Sequence, residues 1–77
     1  MTQKQYLLNV IRNTFAHSIT LKIRNGNMVN LEEIKFYAED FDYKAEYIDW
    51  AYDDDLRLKG VSTIQIIAIE VNNVEIL

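Results

Sequence analysis

The chain has 77 residues, 49% of them hydrophobic, and a net charge of −4. That length allows one domain, expected to span residues 1–77, and the composition excludes a disordered chain. The absence of cysteine excludes a disulfide framework and thiolate metal sites. A core of this size supplies about 3–5 kcal/mol, so self-association would help it. The first residues, MTQKQYLLNVIRNTF, hold no apolar run long enough for a signal peptide or a membrane span. The expectation is a cytoplasmic protein that does not enter membranes.

The charge is unevenly spread. Residues 1–38 carry five basic and two acidic groups, residues 39–55 carry eight acids against Lys44, and residues 56–77 balance. An acidic middle is poorly suited to a phosphate backbone, where affinity comes from Lys and Arg.

Thr2 followed by Gln5 has the form of a capping box. Tyr6, Leu7, Val10, Ile11, Thr14 and Phe15 then recur at helical spacing, which predicts a helix over about 3–16. His17 falls at its expected C-terminus, where the dipole favours a cation. Ile19, Leu21 and Ile23 alternate with Thr20, Lys22 and Arg24, a one-sided strand over about 18–24. Asn25-Gly26 is a strong signal for a two-residue hairpin. A second strand over about 28–38 starts at Met28 and Val29, with a phase slip near Glu32-Glu33 that predicts a bulge or bend.

Alternation of Ile48, Trp50 and Tyr52 with Tyr47, Asp49 and Ala51 predicts a third strand over about 44–52. Asp53-Asp54-Asp55 is a turn, and Leu56 and Leu58 open a short strand over about 56–59. Gly60 breaks it, and Val61 to Ile64 read as a tight turn. The strand over about 64–71 is apolar on both faces: Ile64, Ile66 and Ala68 on one, Ile67, Ile69 and Val71 on the other. Such a strand is usually central. Val74, Ile76 and Leu77 would add an edge strand or a partner-facing tail. The fold class is α+β, mainly β: an N-terminal helix and about five antiparallel strands, as a small SH3-like or Sm-like barrel or a strongly curled sheet.

The helix, ITLKIRNGN from Ile19, and YIDWAYDDDLRLKGVSTIQIIAIE from Tyr47 resemble the YolD-like and Sm-like small barrels of bacteria and phages. The closing pattern is also similar to that of WYL domains. The resemblance spans most of the chain in pattern. It departs at LEEIKFYAEDF, where those families often place a Gly and an Ile-Asp pair, and the RNA-binding motifs of Sm proteins are not recognisable. It therefore implies a fold and no functional residues.

Two surfaces are candidates. In the acidic, aromatic middle, Tyr37, Asp40, Asp42, Tyr43, Tyr47, Asp53, Asp54 and Asp55 suit a protein interface, since aromatic side chains give rigid contact area and carboxylates select a basic partner. That partner would be a protein, including one that itself binds nucleic acid; the bland alternative is a solvated acidic face. Lys22, Arg24 and Lys35 form the second candidate, a basic strand face that would bind nucleic acid. No aromatic lies among them on that strand, which weakens a stacking platform. Three adjacent aspartates cannot all converge on one cation, and no calcium-loop spacing surrounds them. With no Walker loop, dinucleotide fingerprint, HExxH or nucleophile elbow, neither an enzyme nor a cofactor is expected. The leading expectation is a non-enzymatic protein-binding module, inhibitor or accessory factor acting through residues 36–55, of the kind found in phages and mobile elements. A nucleic-acid-binding Sm-like module is the alternative, and an uncharacterised structural protein that self-associates through an edge strand and the C-terminal tail is the other.

Overall fold

A computed structural model describes every residue except Met28, Val29 and Leu77. The expected start of the second strand at Met28 and Val29 and the last residue of the apolar tail lie outside the described residues.

Thr2 caps the first helix, α1 (Gln3–Asn13). Its hydroxyl accepts the Gln5 N–H at 3.1 Å, and the Gln5 side chain accepts the Thr2 N–H at 2.9 Å. The reciprocal pair satisfies two of the free donors at a helix start. Leu7, Leu8 and Ile11 are buried, each contributing about 1.5–3 kcal/mol. The helix ends a turn earlier than its sequence pattern suggests. Asn13 turns its side-chain amide back onto the Asn9 carbonyl, and Thr14 is extended, with its hydroxyl accepting the Ala16 N–H. Phe15 is consequently fully exposed rather than part of the apolar stripe, and His17 lies beyond the helix end.

Strand β1 (Ser18–Asn25) buries Ile19, Leu21 and Ile23. It pairs antiparallel with β2 (Glu32–Tyr37) on one side and β4 (Val61–Val71) on the other. Asn25-Gly26 does not close a two-residue hairpin. Pairing with β2 stops at Ile23↔Glu32, while pairing with β4 runs on to Asn25↔Ile64. Gly26, at φ +62, donates its N–H to the Thr63 carbonyl at 2.8 Å. The two-residue turn occurs instead at Asn72-Asn73, both at positive φ, between β4 and β5 (Val74–Glu75). Asparagine tolerates that left-handed region better than other side chains.

The expected strand over 44–52 is a helix, α2 (Phe41–Ala51), entered through a single 3-10 turn at Ala38–Asp40. Phe41, Ala45, Ile48 and Ala51 are buried, and the sequence continues to buried Tyr52. This four-three spacing satisfies a helix packed on one face. The strand reading would have sent Ile48 and Trp50 to the same side, but Ile48 is 2% and Trp50 76% exposed.

Tyr52 makes one bridge to Leu58, and β3 (Arg57–Leu58) pairs with β4. Gly60, at φ +81, makes the bend between them, and Val61 to Ile64 continue as strand rather than turn. The strand order is β2-β1-β4-β3, with β5 also on β4. β4 is therefore central. Its two-faced apolar pattern has a local cause. Lys22 pairs with Ala68 and Ile23 with Ile66, so Ile67 is an extra residue. The bulge changes the parity of the strand. Ile66 and Ile69 consequently both enter the core opposite β1, with Ile64 and Val71 packed against it. The phase slip expected at Glu32-Glu33 is not present: β2 pairs evenly with β1 from Glu32 to Tyr37.

Among the described residues there are two α-helices and five antiparallel strands, an α+β fold that is mainly β. The sheet is open, not the closed barrel. Both helices cover one face, and they pack on one another. The opposite face carries Thr20, itself buried, with Lys22, Glu33, Lys35 and Tyr37, which alternate along β1 and β2 with the residues facing the helices.

Candidate functional site

α2 places its buried stripe on the sheet and so turns its other side outward. Tyr43, Tyr47 and Trp50 stand at positions i, i+4 and i+7, within about 60° of the helix circumference. They are 68%, 45% and 76% exposed. Each is preceded by an acid: Asp42, Glu46 and Asp49 form a second stripe beside the aromatic one. The repeated acid–aromatic doublet spaced by four and then three residues is a helical signal readable in the sequence. An alternating-strand reading hides it, and Glu46, Asp49 and Trp50 were missed as site residues for that reason.

The aromatic stripe continues into a shallow groove of about 390 Å³ lined by Tyr47, Trp50, Ala51, Leu58 and Lys59. The chain after α2 forms its far wall, held by the Lys59 N–H on the Ala51 carbonyl at 2.9 Å. Tyr47 also meets the ring of buried Tyr52 edge-on, with centroids 6.4 Å apart. Burial first, and then the neighbouring Tyr47 and Glu32, hold the Tyr52 hydroxyl above its ordinary pKa.

The carboxylates divide into two groups. Asp42 and Glu46 are exposed and make no ion pair among the described residues. Asp49 lies 3.5 Å from the Lys4 ammonium, which also donates to the Asp49 and Tyr52 carbonyls at 3.2 Å. A cation there complements the C-terminal end of α2. Asp54 reaches the same ammonium at 3.9 Å. Asp53 is committed to its own turn: its Oδ1 accepts the N–H groups of Asp55 at 2.9 Å and Arg57 at 3.0 Å. Among the described residues no group of three or more acidic or histidine side chains converges as a metal site would require.

The remaining predicted residues lie apart from this face. Tyr37 is on the opposite face of the sheet, with the Lys35 ammonium 5.7 Å from its ring centroid. Asp40 sits just before α2 without capping it through its side chain. The basic strip is interrupted by acids. Lys22 Nζ lies 3.1 Å from Glu70, 3.9 Å from Glu75 and 4.0 Å from Glu33. The hydrogen bond to Glu70 leads in raising the Lys22 pKa, with the attraction of the three carboxylates adding to it. Arg24 is hydrogen-bonded to Gln65 at 3.3 Å. Val74 of the apolar tail pairs with Val71, and the Ile76 N–H binds the Ile69 carbonyl, so both are tied into their own sheet. No helix among the described residues is long and apolar enough to cross a membrane.

No protein-family model, curated protein or solved structure matches this chain.

Proposed function

We propose that the chain is a protein-binding module whose docking surface is the outward face of α2, and that its partner is a basic segment with apolar residues. The observation that carries this reading is the stripe of Tyr43, Tyr47 and Trp50 on the side of α2 opposite the core. Contiguous apolar exposure of this kind marks an interaction surface. Tyrosine and tryptophan are the residues that most often dominate binding energy. Asp42 and Glu46 beside the stripe, with Asp54 and Asp55 beyond its end, select Lys and Arg over acidic partners. The basic strand face is the less favoured surface, because Glu33, Glu70 and Glu75 already surround its central lysine.

The chain has one tryptophan, and it lies in the stripe. Its emission therefore reports directly on docking. Titration with Lys- and Arg-rich peptides carrying leucines at helical spacing should shift that emission to the blue, with affinity falling as salt rises. Acidic peptides of the same pattern should not. Combined Tyr43→Ser and Tyr47→Ser should weaken binding at least about tenfold, or roughly 1.4 kcal/mol. Trp50→Ala should cost less than about 1 kcal/mol of stability, as an exposed substitution does. No spectral shift with any basic peptide, or equal binding of acidic ones, would overturn the reading.

A further inference from the structure

β2 runs along β1 on one side, and among the described residues no element runs along the other. Every residue of β2 except Phe36 is exposed. The direction of its backbone groups follows from the bonds beside it. The Ala38 N–H donates to the His17 carbonyl at 3.1 Å, one step beyond the Ser18↔Tyr37 pair. Hydrogen-bonded pairs alternate with non-bonded ones along an antiparallel ladder. Ile19–Phe36, Leu21–Ile34 and Ile23–Glu32 are therefore the bonded pairs. Glu33, Lys35 and Tyr37 send their N–H and C=O groups outward. The Asn72 N–H bond to the Ser18 carbonyl at 3.1 Å agrees, since it turns Ser18 toward β4 and away from β2.

A second copy is the occupant this edge fits. An antiparallel two-fold pairing must set outward residues against outward residues, so its axis passes through a residue of β2. An axis at Glu33 or Lys35 puts identical charges opposite one another. An axis at Glu32 sets Glu33 against Leu31, and one at Phe36 sets Lys35 against Tyr37; neither gives an ionic complement. An axis at Ile34 sets Glu33 against Lys35 of the second copy, and Lys35 against Glu33 of it. These two pairs use the outward backbone groups and form four ladder hydrogen bonds. Ile34, 40% exposed and opposite core Leu21, then meets Ile34 of the second copy. It does so as a non-bonded pair, where side chains approach most closely.

We propose that the chain forms a two-fold dimer by antiparallel pairing of β2 with β2 of a second copy, centred on Ile34, so that one sheet runs through both. The pairing itself uses backbone and side chains of β2 and none of the α2 stripe.

Sedimentation equilibrium of the full chain tests it by charge exchange. The wild type should associate to a dimer as concentration rises toward millimolar. E33K and K35E should each raise the dissociation constant at least about tenfold, because each sets like charges opposite one another. A one-to-one mixture of the two variants should recover association as a heterodimer, and the E33K/K35E double variant should recover the homodimer. Amide exchange on the wild type gives a second reading that needs no variant. The Glu33 and Lys35 N–H groups should exchange slowly in concentrated solution and fast in dilute. A wild-type monomer at millimolar concentration, variants that dimerise as tightly as the wild type, a mixture no better than its components, or concentration-independent exchange at Glu33 and Lys35 would overturn the proposal.

Discussion

Asp53 separates the structural from the available charge in the acidic run. Its carboxylate holds two backbone N–H groups, and its own N–H and C=O bond Arg57 and Leu56. This closes the turn that places Leu56, fully buried at φ +63, under the sheet. A non-glycine residue in that region carries strain of about 1 kcal/mol or more and persists only where its surroundings hold it. Asp53→Ala should therefore lower stability by about 1–3 kcal/mol, the range for losing charge-assisted hydrogen bonds. Asp55→Ala, whose side chain makes no bond or ion pair among the described residues, should change it by less than about 0.5 kcal/mol. Urea unfolding of both variants checks the pair; equal losses would show that the turn does not depend on Asp53. It follows that a docking test by charge reversal belongs at Asp55, since reversal at Asp53 would damage the fold and reversal at Asp54 would set a cation against Lys4.

At the scale of elements, α2 depends on what meets its C-terminal end. Lys4, with only 13% of its side chain exposed, joins the start of α1 to the Asp49 and Tyr52 carbonyls. Lys4→Met keeps the apolar stem and removes the charge. It should cost about 1–2 kcal/mol, the range for a partly buried cation at a helix C-terminus. The loss should shrink only slightly in high salt, because the ammonium is sheltered. Thermal melts at low and high ionic strength measure both, and no loss at all would leave α2 held by its apolar stripe alone. The same element shows why sequence periodicity misled. Tyr47, Ile48, Asp49 and Trp50 alternate convincingly, and aromatic residues favour strands. The helical set Phe41, Ala45, Ile48 and Tyr52 is present too, but the exposed aromatics on the other side blur its contrast. β4 misled in the opposite direction: one bulge at Ile67 gave a one-faced strand the appearance of a two-faced one.

For the whole molecule, two titrating groups tie the fold to alkaline pH. The Lys22 pKa is raised, chiefly by its hydrogen bond to Glu70, and the Tyr52 pKa is raised, chiefly by burial. In both cases the folded state holds the proton more tightly than the unfolded one. Stability therefore falls as pH rises above about 10, where the unfolded chain loses those protons first. The unfolding midpoint should be level from pH 7 to 9 and decline from there toward pH 11. Tyr52→Phe should make the decline shallower, and an unchanged slope in that variant would remove Tyr52 as a contributor.

The sequence by itself determined what acts over a few residues. The Thr2–Gln5 capping box, the one-sided alternation of β1, the bend at Gly60 and the acid–aromatic character of residues 36–55 all depend on neighbours within a turn or two. It also determined the α+β class, because those local elements leave little choice of layers. Tertiary structure decided the rest. Whether residues 41–51 coil or extend depended on which side the sheet and α1 would cover. Whether Asn25-Gly26 made a hairpin depended on β4 taking the end of β1. The isolation of Tyr37 from Tyr43, Tyr47 and Trp50 depended on which face of the sheet the helices occupy. Lys22 reads in the sequence as part of a free basic strand face, and only strands distant in sequence bring carboxylates to it. Each of these outcomes rests on burial or charge between segments far apart along the chain, which residue spacing does not encode.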